Sequence, residues 1–396
     1  MNTNTIFLTG RIDTNNASEW EQKIFSSDLN NDTIFDASKL EYISSAGLRV
    51  LMKARKKLNK KISIINLSRE VYDIFETTGF TELFDVKRAL REISIENCQE
   101  IGSGAYGRVY RIDPETIVKI YDSRMNLEFI KREIDTAKKV FLLGVPTAIS
   151  YDVVKCGDSY GALYELLDAK TVAQIISENR ELVPEMAKKC ADLLKQIHSI
   201  KIDSASNLPS RKIKLSNLIK SFASYLTPDE TNKILAFLDS VPDSKTFLHG
   251  DFNAKNIMID KNGDFQLIDL GDAAYGHPIW DLLGLMLSFI YMLKYAPIPD
   301  EQKAGYLGFN FNDADIYWSS LCKEYFNLKT DQEVDELTEK FMPYMYLLLI
   351  SHSVRFVGPD NKERLQQIAE NTIRGNLLNF IDSTKDFNLA GEYFNA

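Results

Sequence analysis

Apolar positions in the N-terminal part of the chain recur with two periods in turn. Thr5–Arg11 (TIFLTGR) reads as a strand, and Asn15 or Asn16 caps a helix running through Ser27. Thr33–Ala37 predicts a second strand, Ser44 or Ser45 opens a helix to Leu58, and Ile62–Leu67 predicts a third strand. Ser68 then caps a helix that Gly79 stops. Strands and helices alternating in this way predict a single sheet with helices packed on it. The pattern changes across Lys87–Glu96 (KRALREISIE), a short charged stretch without Gly or Pro, which predicts two tightly coupled blocks. After it, GRVYRI and Thr116–Tyr121 (TIVKIY) alternate as strands, and FIKREIDTAKKV has helical spacing. The most apolar run, Leu282–Leu293, is 12 residues long and lies between Asp281 and Lys294. A membrane span needs roughly 20 residues, so this run predicts a buried helix.

Length adds a domain count: 396 residues favour two or three domains, and 44% apolar with 26% charged residues is ordinary globular composition. Cys98, Cys156, Cys190 and Cys322 are far apart and form no C-x-x-C pair, which predicts reduced thiols in a cytoplasmic protein. The start, MNTNTIFLTGRIDTNN, carries no secretory signal pattern, so neither export nor a membrane is expected. The net charge of −9 is uneven: residues 1–91 hold 14 Lys and Arg against 12 Asp and Glu, and the rest hold 33 against 44. An acidic body repels phosphate backbones, which excludes nucleic acid as the expected partner. The basic run Lys53, Arg55, Lys56, Lys57, Lys60 and Lys61 falls on the outer face and end of a helix, where cations suit the dipole.

The first block resembles a STAS domain, the fold of bacterial anti-sigma-factor antagonists. The resemblance rests on FDASKLEYISSAGLRVLMKARKKL, KISIINL and VYDIFETTGFTELFDV. It implies a regulatory or partner-binding module, and it aligns Ser45 with the serine that a partner kinase phosphorylates in that family. A helix N-terminus offers free N–H groups to a phosphate. Here Ser44 stands where the family has an acidic residue, and a cap alone also accounts for Ser44 or Ser45.

The second block opens with NCQEIGSGAYGRVYRID, in which Gly102, Gly104, Gly107 and Val109 fit G-x-G-x-x-G-x-V. The glycines are followed by a strand rather than a helix, so they predict a strand–loop–strand flap over phosphates. Lys119 lies inside the next apolar strand, a costly place unless it is paired. Its expected partners are ATP phosphates and a helix glutamate, for which Glu133 is the best candidate and Glu128 the competing choice. FLHGDFNAKNIMIDKNGDFQLIDLGD then supplies H-G-D-x-x-x-x-N at His249, Asp251 and Asn256, and D-L-G at Asp269–Gly271. Asp251 suits the role of orienting an acceptor hydroxyl and taking its proton; Asn256 and Asp269 suit magnesium as hard oxygen donors. His249 is expected to brace the loop, and Asp272 fits either a metal or substrate contact or a buried brace.

Together these motifs resemble the protein-kinase-like superfamily, specifically the aminoglycoside phosphotransferase and choline kinase group. The loop reads HGD rather than HRD, and the stretch from Asp269 to Trp280–Asp281 is too short for a peptide-binding activation segment. The resemblance implies ATP and Mg2+ as cofactors, an adenine-facing hinge in Tyr164–Ala169 (YELLDA) with Glu165 and Leu167, and a loop-steadying role for Asp281. The fold expected is an α/β STAS-like sheet-and-helix domain over 1–88 plus a bilobal α+β protein-kinase-like fold over 92–396. The N-lobe covers about 95–167 and the C-lobe about 168–396.

The expected activity is ATP-dependent phosphoryl transfer to a hydroxyl of a small molecule, aminoglycoside-, choline- or sugar-like. A competing reading is a signalling protein whose STAS-like part binds a partner and is phosphorylated at Ser45; a third is a nucleotide-binding scaffold. Tyr306, Phe309, Phe311, Asp313, Asp315, Tyr317 and Trp318 form either a cage for an amine or an inward-packed helix, and the second is the plainer account.

Overall fold

A computed structural model describes residues 4–27, 29–30, 32–104, 106–203, 206–294, 299, 302, 308–357, 361–383 and 394. The chain divides into two compact units: Met1–Glu96 with Val153–Gly161, and Asn97–Asp152 with Ala162–Ala396.

In the first unit, β1 (Thr5–Ile12), β2 (Ile34–Ile43), β3 (Ser63–Leu67) and β4 (Asp85–Arg88) form a parallel sheet in sequence order. Ile6, Phe35, Ile64 and Val86 stand in one row across it. The helices α1 (Ala17–Ser26), α2 (Ser45–Leu58) and α3 (Arg69–Thr77) bury Trp20 and Ile24, Leu48 and Leu51, and Val71 and Phe75 at helical spacing into the same core. A Cβ on Gly47 would lie 2.7 Å from the side chains of both Ile12 and Ile43, so only glycine lets the start of α2 press on the ends of two strands. Two features exceed the sequence expectation. β2 runs to Ile43 instead of Ala37, because Ser38, Lys39 and Glu41 fall on exposed positions while Leu40 and Ile43 stay buried. After Gly79 (φ +74°) come a short helix α4 (Phe80–Leu83) and the fourth strand, whose charged sequence DVKR hides its strand character. Within this unit β5 (Arg91–Glu92) pairs in parallel with Val154–Lys155.

The second unit begins with an antiparallel meander of β6 (Gln99–Gly104), β7 (Gly107–Arg111) and β8 (Thr116–Tyr121). Helix α5 (Leu127–Leu142) follows, capped by the Asn126 carboxamide. Further on lie α6 (Val172–Glu178), α7 (Val183–Ser199), α8 (Arg211–Ser221) and α9 (Pro228–Asp239). Strands Ile257–Asp260 and Phe265–Leu267 form an antiparallel hairpin, its turn held by the Asp260 carboxylate, which accepts from the amides of Asn262 (2.8 Å) and Asp264 (2.9 Å). The hairpin's end is pinned to the segment after α5: the Leu267 amide donates to the Pro146 carbonyl and the Thr147 hydroxyl to the Leu267 carbonyl, both at 2.7 Å. A second small sheet pairs Thr246–Leu248 with Ala274–Gly276. The apolar run from Leu282 is buried as expected, in helix Ile279–Met286 and the π-helical turn Leu287–Tyr291. Among the described residues no helix is long and apolar enough to cross a membrane.

Candidate active site

The glycine flap is the hairpin between β6 and β7, in which Gly104 stands opposite Gly107; Ala105 at its tip lies outside the described residues. Its glycines differ in need. A Cβ on Gly107 would sit 2.0 Å from the Ile120 carbonyl oxygen, so strand packing alone demands glycine there; Gly104 has open space around it and Gly102 only an ordinary contact with Val109. Val109 is directly opposite Lys119 across the β7–β8 ladder.

Lys119 emerges from β8 with its ammonium 2.9 Å from Glu133 Oε1 and 3.1 Å from Asp269 Oδ1. Glu133, not the exposed Glu128, is therefore the helix partner. Burial alone would lower the lysine's pKa, but the charges of Asp269 and Glu133 outweigh it and raise it. Two further side chains converge on the pair: the Tyr121 hydroxyl donates to Glu133 Oε1 at 2.6 Å and the Tyr164 hydroxyl reaches the same atom at 3.5 Å. Burial pushes both phenols up, so they stay neutral donors. Gly271 of D-L-G leaves the room this requires, since a Cβ there would lie 3.3 Å from Glu133. In the hinge segment, the Glu165 amide donates to the Ile149 carbonyl (2.9 Å) and its carboxylate accepts from the Ile149 amide (3.2 Å). Leu167 follows in an irregular stretch.

The loop His249–Asn256 connects the two small sheets. Asp251 is gripped by two carboxamides: Asn253 Nδ2 donates to Oδ1 at 3.2 Å and Asn256 Nδ2 to Oδ2 at 3.0 Å. Burial, with the nearby charges of Asp269 and Asp272, pushes the Asp251 carboxyl up to about 6. The His249 ring is fully buried; its Nδ1 accepts from the Asp251 amide (3.2 Å) and its Nε2 faces the Ile268 carbonyl (3.2 Å), a pattern that fits the neutral Nε2–H ring. Burial lowers the imidazole's pKa in keeping with that. The buried Asp281 carboxylate accepts from the amides of His249 (2.9 Å) and Gly250 (2.8 Å) and contacts His198 Nε2 at 3.2 Å; His198 Nδ1 in turn meets the Tyr325 hydroxyl at 2.7 Å. Burial would raise the Asp281 carboxyl, and the contact with His198 and these hydrogen bonds hold it down. On the other side of the loop, Arg211 Nη2 donates to the Gly250 carbonyl at 2.8 Å. Asp269 itself is left-handed, φ +60°, at the end of the hairpin.

One lysine–glutamate–aspartate cluster and one carboxamide-held aspartate, on strands and loops that converge, are the parts a phosphoryl transfer requires. The sequence profile of the phosphotransferase enzyme family (APH) matches residues 97–317, more than half of the chain. The chain belongs to that family. The STAS domain profile matches residues 2–93, so this phosphotransferase carries a STAS domain ahead of its kinase-like fold. A Bordetella bronchiseptica protein, BtrV, assigned as an anti-sigma factor antagonist, is 31% identical over 84 residues, covering 20% of this chain and 72% of that relative. Among solved structures, the gentamicin complex of APH(2″)-IIa is 17% identical, covers 81% of this chain and 97% of its own, and has a TM-score of 0.42. The ADP-bound aminoglycoside phosphotransferase APH(2″)-Ib is 20% identical over 76% of this chain and 99% of its own, with a TM-score of 0.43.

The aromatic residues suggested as an amine cage pack inward. Phe309, Tyr317 and Trp318 are buried, with Tyr317 stacked on Phe289 at 4.8 Å. Asp313 is also buried and pairs with Arg180. Tyr306 and the side chain of Phe311 lie outside the described residues. In the STAS domain of this phosphotransferase, Ser44 is the cap: its hydroxyl accepts from the Ala46 and Gly47 amides at 3.2 and 3.5 Å, while Ser45 is exposed at the first helical position. His198, Tyr325, Asn253, Tyr121 and Arg211 are not legible in the sequence as site residues, and Tyr164, expected in the hinge, instead reaches Glu133. Only Asn253, two residues after the aspartate, had a positional signal.

Proposed function

We propose that this phosphotransferase moves the γ-phosphate of ATP to a hydroxyl of a small molecule, with Asp251 as the catalytic base and the STAS domain as a regulatory or partner-binding module. The observation that carries the reading is the paired arrangement: Lys119 held by Glu133 and Asp269, and Asp251 held at both carboxylate oxygens by Asn253 and Asn256. In this reading Lys119 exchanges part of its carboxylate contact for nucleotide phosphates. The flap at Gly102, Gly104, Gly107 and Val109 covers those phosphates, and Glu165 and Leu167 face adenine. Asp251 orients the acceptor hydroxyl and takes its proton as the new P–O bond forms and the bond to ADP breaks.

The donors present suit magnesium. Asn256 commits its amide nitrogen to Asp251, which leaves its carbonyl oxygen for a cation beside the Asp269 carboxylate. Magnesium in such enzymes is bound through one or two protein oxygens together with nucleotide phosphates and water, so these two donors would suffice. Such an ion supplies charge neutralisation for the transferring phosphoryl group.

The test is incubation with γ-labelled ATP, Mg2+ and a panel of amino sugars, choline-like amines and sugars. Label on a small molecule supports the reading; label on protein alone overturns it in favour of signalling. That second reading is favoured by one observation: with Ser44 taking the cap, the Ser45 hydroxyl is exposed at a helix start and has no capping duty. Phosphopeptide mass spectrometry after the same incubation decides whether Ser45 is modified.

A further inference from the structure

We infer that Arg211 is the positioning residue of the catalytic loop, clamping from a separate helix the peptide that carries Asp251. The inference rests on the reading of Asp251 as the base. The peptide joining Gly250 to Asp251 is held at both ends: its carbonyl accepts from Arg211 Nη2 at 2.8 Å, and its N–H donates to His249 Nδ1 at 3.2 Å. The preceding N–H, of Gly250, donates to Asp281 Oδ1 at 2.8 Å. Gly250 has φ +86°, and a Cβ there would lie 2.1 Å from the Asp272 carbonyl oxygen and 3.0 Å from Arg211 Nη2. The position thus admits no side chain, and the guanidinium fills space next to it. Glycine rotates its peptides at little cost, so the orientation of this peptide, and with it the Asp251 side chain, depends on its clamps.

Arg211 is itself anchored to the same small sheet. The Ser210 hydroxyl caps α8 by accepting from the Ile213 amide (3.3 Å), and the Tyr275 amide donates to the Pro209 carbonyl (2.9 Å). Ser210 also forms a bridge with Tyr275, and a Cβ on the next residue, Gly276, would touch Arg211 Cβ at 3.4 Å. Ala274–Gly276 pairs with Thr246–Leu248, the strand that runs into His249. The arginine therefore spans from one strand of this sheet to the loop that leaves the other. It also carries a burden: its Nε–H is buried and has no partner among the described residues. An orphaned buried donor costs stability, so Arg211 is not the residue that packing alone favours.

The experiment compares the full-length chain with Arg211→Met and Arg211→Lys. Turnover is read as ADP release with ATP and Mg2+, water serving as acceptor: its oxygen forms the new P–O bond as the bond to ADP breaks, yielding ADP, phosphate and a proton. Hydrogen exchange of the 246–252 peptide is measured in parallel. Arg211→Met is expected to lower kcat by about 100-fold, the scale of a misplaced catalytic group. KM for ATP and the unfolding midpoint should stay near the parental values. Exchange in 246–252 should quicken, and Arg211→Lys should recover part of kcat. Parental kcat in Arg211→Met, or a kcat loss matched by weaker ATP binding with unchanged loop exchange, overturns the inference. If the parental chain binds ATP, hydrolyses none and labels no acceptor of the panel, the phosphotransferase reading fails by itself. Loop exchange then decides the clamp: quickened exchange in Arg211→Met supports it and unchanged exchange overturns it.

Discussion

At the scale of single residues, the site is a set of charges that each depend on a neighbour. Asp251→Asn keeps the size of the side chain but removes the proposed base, and its amide nitrogen cannot accept from one of the two carboxamides that hold it. Nucleotide affinity, read by calorimetry, should survive while transfer falls by about 100- to 10,000-fold. Beyond its proposed contact with phosphates, Lys119 also neutralises Glu133, which is buried. Lys119→Met should therefore cost stability as well as activity, about 3 kcal/mol in urea unfolding. The figure sits at the low end for a broken buried pair because the Tyr121 hydroxyl still donates to Glu133. Unchanged stability in that variant would show the pair to be neutral in the folded chain. Gly250 is a stricter case. Gly250→Ala forces an L side chain into φ +86° and onto the Asp272 carbonyl, and both soluble yield and the unfolding midpoint should fall.

At the scale of elements, helix starts separate capping from function. Ser44→Ala removes the hydroxyl that accepts from two first-turn amides of α2 and should destabilise the N-terminal unit by about 1 kcal/mol. Ser45→Ala, at an exposed position, should leave stability unchanged; equal losses for both would mean that Ser45 shares the cap. Helix α9 carries a pH-dependent counterpart. Glu230 closes the capping box with Thr227 and also binds Arg374 through both oxygens, at 2.6 and 2.9 Å. Hydrogen bonds from Arg374 and from the Thr227 amide hold its carboxyl down at about 2. A carboxyl depressed in the folded state adds stability that is complete above its unfolded value, roughly 4.3, and is lost as pH falls through the interval down to about 2. Acid titration of stability should therefore be flatter between those limits in Glu230→Gln than in the parental chain.

At the scale of the whole molecule, the N-terminal unit has a closed core. Its buried cluster runs from Ile6 to Phe84 and is supplied by that stretch alone. A fragment of residues 1–90 is expected to fold by itself, with helical circular dichroism and a cooperative melt, although it lacks the segment 153–161 of this unit. A featureless spectrum would make that segment, or the rest of the chain, part of the folding unit.

The sequence by itself determined what depends on local order. Apolar periodicity placed most helices and strands of the first unit. The spacing H-G-D-x-x-x-x-N followed by D-L-G named Asp251, Asn256 and Asp269, because one loop and one hairpin carry all three. It did not reveal β4, whose four residues are mostly charged and become a strand only by pairing with β3. It favoured Glu133 over Glu128, little more than a turn of helix away, but only the direction in which α5 presents its buried face puts Glu133 on Lys119. Tertiary structure also decided that Phe309, Tyr317 and Trp318 belong to the core. Aromatic residues at helical spacing read the same whether they line a pocket or fill one. His198, Tyr325 and Arg211 come to the loop that carries Asp251 from helices distant in sequence. A hydrogen bond to a backbone carbonyl or a buried carboxylate leaves no spacing signature, since only the packing of those helices brings the groups within reach.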